Sequence, residues 1–301
     1  MATESNALTD LSEALAAAVE KAARSIVTVD ARRRFGASGI VWTADGIIVT
    51  ADHVVERDEN ITVTLPGGTE AAATIVGRDP GSDIAVLKVE ETGLTPIEHG
   101  QAAKVGNLAL AVGRPAGGEP GASFGVVGAV GGAWRTFRGG TVDGYLRSDT
   151  TFYPGFSGGP LVDGAGRALG LNSSRLGRGA GMTVPIAAVA TVVEALRMSG
   201  KIRRGYLGIG SQAAQLPAAL AASLGGQASG LLIVGVEPGS PADSAGLLLG
   251  DILVAMGGAP LTETDDLQGQ LGPDSVGKAV PAVILRGGER REITITVGER
   301  G

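Results

Sequence analysis

Ser157 stands in Gly155-Phe156-Ser157-Gly158-Gly159-Pro160, a hydroxyl on a stretch that glycine allows to turn sharply. Serine is a weak nucleophile at neutral pH until a base takes its proton. Only two histidines are available for that in the 301 residues. His53 lies in Thr50-Ala51-Asp52-His53-Val54-Val55, and His99 in Ile97-Glu98-His99-Gly100. Asp83 follows Asp79-Pro80-Gly81-Ser82 and could fix an imidazole tautomer and stabilise its positive charge. Backbone amides of Gly155, Phe156 and Ser157 could then face the oxyanion of a tetrahedral intermediate. Together these groups suit acyl transfer by a Ser-His-Asp triad.

Chain order discriminates between the folds that carry such triads. The spacing Gly155-x-Ser157-x-Gly159 also fits the nucleophile elbow of α/β-hydrolases, but those enzymes place histidine after serine. Both histidines here come before Ser157. The order His53, Asp83, Ser157 is that of chymotrypsin. A subtilisin order, Asp83, His99, Ser157, can formally be drawn, but it needs the alternating strands and helices of a parallel sheet. His99 is therefore read as a surface or loop histidine. Zero cysteines exclude disulfides, thiolate metal sites and a cysteine nucleophile. Two histidines without an H-E-x-x-H pair argue against catalytic zinc, and no cofactor is implied. Gly272 to Ala279 nearly fits a phosphate-binding loop, yet Ala279 stands where a hydroxyl is needed and a strand-like run follows, so it reads as a turn. The net charge of -6 argues against a nucleic-acid partner.

The elements that must position these residues are mainly β. Fifty glycines with 44% hydrophobic residues favour short strands and tight turns over long helices. A helix is predicted over Thr9 to Arg24, with Leu11, Leu15, Ala18 and Val19 on one face. β-rich runs follow at 25–30, 39–42, 47–50, 61–65, 72–76 and 84–89, and again at 108–112, 125–130, 145–147, 160–162, 168–172 and 181–184, a pattern that fits two β-barrels. A second helix spans Pro185 to Met198. After Lys201-Ile202-Arg203-Arg204 the character changes. Strands at 205–209, 231–236, 252–256, 282–286 and 292–297, with helical segments at 241–245 and 263–270, form a small α/β module, and Thr262 and Asp265 have the spacing of a capping box. No apolar run reaches transmembrane length. The opening Met-Ala-Thr-Glu-Ser lacks the basic start of a signal peptide.

Three blocks carry a family resemblance: Thr50 to Val55, Asp79 to Val89, and Pro154 to Leu161. The chain resembles the HtrA/Deg serine proteases in these, and further in Val105-Gly106-Asn107, Gly113-Arg114-Pro115, Gly181 to Pro185 and Arg204 to Ile209. The resemblance implies an N-terminal helical segment (1–26), a chymotrypsin-like double β-barrel (27–202) and a PDZ domain (203–301). It also implies an ATP-independent endopeptidase of unfolded or misfolded proteins, in quality control, assembled as a trimer or a multiple of one. The PDZ groove would take peptide C-termini as an added strand, with Tyr206, Leu207, Gly208 and Ile209 as its carboxylate-binding loop and Thr262 to Leu271 along its other side. Thr151, six residues before Ser157, and its neighbour Phe152 would shape a pocket for small to medium aliphatic side chains. Two departures stand out. Phe156 replaces the asparagine common before the serine, so the oxyanion loop is either held by packing of the ring or misaligned at rest; the rival to an endopeptidase is a client-binding chaperone with that loop inactive. The missing leader reads as a cytoplasmic location, the alternative being an exported form shown without it.

Overall fold

The computed structural model describes residues 6–33, 35–115, 118–136, 140–177 and 181–299, in two compact units, Met1–Ile202 and Arg203–Gly301. The first unit opens with helix α1 (Ala7–Ala23), whose N-cap Asn6 side chain accepts from Leu8 N–H. Its buried positions are only Ala18, Ala22 and Ala23, small side chains that let the helix lie close to the strands beneath. Arg114 is buried and donates through Nη2 to Ala23 O at 3.1 Å, occupying one of the carbonyls that a helix end leaves open.

Six antiparallel strands close the first barrel: β1 (Ile26–Asp30), β2 (Ala37–Val41), β3 (Ile47–Thr50), β4 (Ile61–Thr64), β5 (Glu70–Asp79) and β6 (Ile84–Val89), in the order β1-β2-β3-β6-β5-β4. β-Branched residues fill its interior, with Ile26, Ile40, Ile48, Ile61 and Ile84 fully buried, as such side chains pack well on a pleated surface. The second barrel contains β7 (Leu108–Gly113) and β8 (Gly121–Gly131). A two-stranded ribbon of β9 (Trp134–Arg135) and β10 (Thr141–Val142) intervenes, and the barrel resumes with β11 (Tyr145–Ser148), β12 (Pro160–Val162), β13 (Ala168–Ser173) and β14 (Met182–Pro185). Its closed order is β11-β14-β13-β12-β7-β8. Helix α2 (Ile186–Ser199) buries Ile186, Val189, Val193 and Leu196 and stops at Gly200, whose N–H bonds Leu196 O. It packs on β5 and β6 of one barrel and β13 of the other.

The second unit pairs β15 (Gly205–Tyr206) with the last strand, β22 (Gly298–Glu299). Its main sheet runs β16 (Ile209–Gln215), β17 (Ser229–Val236), β18 (Ile252–Met256), β20 (Ala279–Arg286), β21 (Glu289–Thr296), with β19 (Ala259–Pro260) beside β18. Helices α3 (Ala218–Ser223), α4 (Pro241–Ser244) and α5 (Thr264–Gln270) accompany it. Two sequence expectations are corrected here. The strand expected over Gly205 to Ile209 is divided at Leu207 and Gly208, because Leu207 turns into the core and is buried. The capping box lies one residue later than expected, between Glu263 and Asp266, since Asp266 Oδ2 accepts from the N–H of both Thr262 and Glu263. The segment around Gly272 is a turn, with a single 3₁₀ turn at Pro273–Ser275, and the strand β20 follows it. No helix among the described residues is long and apolar enough to cross a membrane.

Candidate active site

His53 sits on a single 3₁₀ turn, Asp52–Val54, at the end of β3. Buried Asp52 fixes that turn. Its carboxylate accepts from Arg78 Nε at 2.7 Å, while Arg78 Nη2 donates to Val55 O at the same distance. Asp83 precedes β6 and has a backbone φ of 58°, in the left-handed region that aspartate tolerates better than most residues. The turn before it is tied by Asp79, whose carboxylate accepts from Ser82 N–H and from the Ser82 hydroxyl. Asp83 therefore points back to β3. Its Oδ2 lies 2.7 Å from His53 Nδ1, and its Oδ1 accepts from His53 N–H at 2.9 Å. A third donor to the same carboxylate, the Ser173 hydroxyl at the end of β13, comes from the other barrel. Held this way, Nδ1 carries its proton toward Asp83 and Nε2 is left as the basic nitrogen.

Ser157 enters from the second barrel, on the turn before β12. Gly155 and Gly158 have φ of 88° and 86°, where other residues are strained. At Gly158 a Cβ would also stand 2.1 Å from Ser38 O. Gly158 N–H and Asn172 N–H are taken by Asn172 O and Gly159 O, which registers the turn against β13. Ser38, on β2, grips the same turn. Its N–H donates to Ser157 O, its hydroxyl donates to Gly155 O at 2.8 Å, and it accepts from Arg114 N–H at 2.9 Å.

Among the described residues, neither Gly155 N–H nor Ser157 N–H has an acceptor within the protein, so both can face an oxyanion. Phe156 N–H donates to Tyr153 O at 3.0 Å. That removes Phe156 from the expected set of three oxyanion donors; its contribution is its ring. The ring is buried, stands edge-on to Tyr153 with centroids 5.4 Å apart, and faces Gly113 and Gly121, which are paired across β7 and β8. Of the two alternatives for the loop, the geometry is that of a loop held by packing.

His53, Ser157, Gly155, Phe152, Tyr153 and Ser174 line one cleft of about 670 Å³, together with Pro154, Phe35, Arg32, Arg33 and Glu56. Thr151, expected in the specificity pocket, is not among the lining residues. It is exposed, and its carbonyl accepts from the Ser123 hydroxyl. Phe152 is among them, with its ring against Gly181. His99 lies outside the cleft, beside Trp42 with ring centroids 4.7 Å apart. Partial desolvation of its imidazole there holds it below the ordinary histidine value.

Sequence reasoning missed Ser38, Ser173 and Ser174. The one local signal was the polar run Asn172-Ser173-Ser174 closing the apolar strand Ala168 to Leu171. In the second unit Leu207 O and Gly208 O accept from Ala242 N–H and Glu237 N–H, whereas the N–H groups of Leu207 and Gly208 have no acceptor among the described residues. The Tyr206 hydroxyl donates to Glu237. Ile209 begins the edge strand β16, with α5 packed beside it.

Residues 37–171 match the trypsin-like peptidase domain family, and residues 205–297 match the PDZ domain family. Two β-barrels with a serine and a histidine on one cleft and a buried aspartate behind the histidine, followed by a PDZ domain, define the class: a trypsin-like peptidase fold joined to a PDZ domain. The relatives narrow it. A probable periplasmic serine endoprotease DegP-like of Ectopseudomonas mendocina (strain ymp) is 34% identical over 269 residues, covering 87% of this chain and 56% of the relative. A protein of the same description from Halomonas elongata is 34% identical over 276 residues, covering 89% and 57%. Among solved structures, the serine endoprotease from Yersinia pestis superposes with a TM-score of 0.77 at 29% identity, over 95% of this chain and 98% of that one. The HtrA-type protease AlgW with a decapeptide gives 0.76 at 27% identity, over 95% and 99%. The chain belongs to the HtrA family of serine endoproteases. It spans just over half the length of the curated relatives it matches. Their description as periplasmic overturns the cytoplasmic location expected from the opening residues and points to an exported protein.

Proposed function

We propose that this protein is an ATP-independent serine endopeptidase of unfolded or misfolded polypeptides, acting in quality control outside the cytoplasm. The observation that carries this reading is the pair Asp83–His53, closed at 2.7 Å, with His53 on a cleft that Ser157 also lines. In the proposed mechanism the Ser157 hydroxyl attacks the scissile carbonyl and gives its proton to His53 Nε2. Asp83 holds the imidazole in register and stabilises its charge, while Gly155 N–H and Ser157 N–H receive the developing oxyanion. The proton then passes to the leaving amine, and water repeats the sequence on the acyl-enzyme. Amide hydrolysis by a triad consumes no nucleotide. An unfolded chain can enter an open cleft in extended form, where a compact domain cannot.

The second unit is proposed to receive peptide C-termini. The terminal carboxylate would sit on the N–H groups of Leu207 and Gly208, within the loop Tyr206 to Ile209, and the peptide would pair with the edge of β16. Structures of the relative AlgW hold a tripeptide and a decapeptide, which supports a peptide ligand. The family resemblance supports a trimer or a multiple of one as the assembly. The packed Phe156 ring favours cleavage over a purely client-holding role, because it leaves both oxyanion amides open.

Turnover of unfolded casein by the wild type, Ser157→Ala and His53→Ala tests this reading. Each substitution should lower turnover by on the order of a millionfold with the melting temperature retained, and His99→Ala should match the wild type. Cleavage persisting in Ser157→Ala, with contaminating proteases excluded, would refute it.

A further inference from the structure

The hydroxyl that hydrogen-bonds His53 Nε2 in this structure is that of Ser174, not Ser157. Ser174 Oγ lies 3.5 Å from Nε2 and 2.9 Å from Ser157 Oγ, and Ser174 N–H donates to Ser157 Oγ at 3.2 Å. Among the described residues, Ser157 Oγ makes both of its hydrogen bonds to Ser174 and none to His53. Proton transfer to the base needs a donor within about 2.6–3.2 Å of the acceptor nitrogen. Asp83 already fixes the imidazole through Nδ1 and the main chain that carries it through His53 N–H, so the group that must move is the serine.

We propose that Ser174 is a positioning residue that holds the Ser157 hydroxyl off its base at rest. The proposal rests on the reading of Ser157 as nucleophile and His53 as base. Two arrangements of three groups compete here. In one, Ser157 is bonded to the Ser174 hydroxyl and amide. In the other, the serine turns to His53 and gives up the hydroxyl contact. A relay through Ser174, from Ser157 to His53, would use the same atoms, but its second leg is 3.5 Å long, beyond the transfer range. The hydroxyl therefore competes with the base for Ser157. One neutral hydrogen bond biases such an equilibrium by about two- to tenfold. A bound substrate that crowds the Ser174 side of the cleft would release the nucleophile, coupling occupancy of the cleft to reactivity.

Ser174 is exposed, so truncating it removes little packing, and its main-chain N–H survives. The test measures the rate of labelling by an organophosphorus fluoride, in which the Ser157 Oγ–P bond forms, fluoride leaves and the proton goes to His53. Peptide hydrolysis is measured alongside. Ser174→Ala should label about two- to tenfold faster and raise kcat/KM by a similar factor with kcat little changed, since bound substrate has already released the serine, and Ser174→Thr, which restores a hydroxyl, should return toward the wild-type rate. Labelling of Ser174→Ala at or below the wild-type rate overturns the proposal, a lower rate making the hydroxyl a relay instead. Ser174→Gly repeats the measurement should the alanine variant lose its melting transition. Ser157→Ala separates the two layers: it should not label at all, and labelling of that variant would sink the triad assignment, not the role of Ser174 alone.

Discussion

Gly113→Ala should inactivate the enzyme from a position that touches no substrate. A Cβ at Gly113 would stand 2.6 Å from Phe156 Cδ1 and 2.8 Å from Ser38 Oγ. Carbon atoms in ordinary contact are about 3.5–4.0 Å apart, so the ring must retreat by roughly 1 Å. Both displaced groups hold the oxyanion turn. Phe156 lies between its two donors in sequence, and Ser38 Oγ bonds Gly155 O at 2.8 Å. A misplacement of about 1 Å at a reacting centre can cost about a hundredfold, which corresponds to about 2.7 kcal/mol of transition-state stabilisation. Overpacking should lower stability by about 1–3 kcal/mol. Gly121, opposite on β8, supplies the control: a Cβ there meets only the far edge of the ring, at 3.2 and 3.3 Å. A shift of a few tenths of an ångström relieves that contact, and Gly121→Ala should lose less than about tenfold. The assay is kcat/KM on a fluorogenic peptide, with melting followed in parallel. Adding Phe156→Leu to Gly113→Ala should recover part of the activity, a non-additive result expected of side chains in contact. A Gly113→Ala enzyme within about threefold of wild type, stably folded, would show that the Phe156 ring does not hold the oxyanion turn.

Three further outcomes are expected. Ser173→Ala removes one donor from Asp83 and orphans the N–H groups of Arg175 and Leu176, which bond the Ser173 hydroxyl; stability should fall by about 1–3 kcal/mol and kcat with it, and an unchanged kcat would limit Ser173 to a structural role. Calorimetry with matched peptides should show the free C-terminal acid binding at least about tenfold more tightly than its amide, since hydrogen bonds to a charged group contribute about 1.5–3 kcal/mol; equal affinities would remove the carboxylate role of the Leu207 and Gly208 amides. Acid should weaken the second unit through Asp251: burial alone would raise its pKa, but hydrogen bonds from Arg286 and from Leu248 N–H outweigh it and hold the carboxyl below the ordinary aspartate value. Because the folded value is depressed, this contribution is complete above the unfolded value of about 3.9 and is lost as pH falls through the folded one. Unfolding of the full chain followed against pH should therefore show a loss below about pH 4 in the second unit's transition that Asp251→Asn lacks, and equal acid slopes would contradict it.

The order of the two histidines and Ser157 along the chain is enough to exclude the α/β-hydrolase fold, because a triad's partners must come from particular strands of a particular topology. The short β runs and turn signals made two barrels followed by an α/β module legible for a similar reason: strand alternation and glycine turns are local backbone properties written in neighbouring residues. Candidate donors at Gly155 and Ser157 were also readable, since a turn with positive φ exposes its amides.

Tertiary structure decided what depends on partners distant in sequence. Phe156 N–H is lost to Tyr153 O, a detail of how the loop closes that no residue type announces. The capping box slid from Thr262 to Glu263 because Asp266 has the reach to accept from both residues before the helix. Thr151, six residues before the nucleophile, is exposed and outside the cleft lining, with its carbonyl bonded by the Ser123 hydroxyl. Ser38 is 117 residues from the Gly155 carbonyl it holds, Ser173 is 90 from Asp83, and Ser174 is 121 from His53. Each is a small polar residue on or beside a strand, indistinguishable in sequence from a surface serine. It acquires a role only when two barrels, each closed by its own hydrogen-bond ladder, bring their rims together around one cleft.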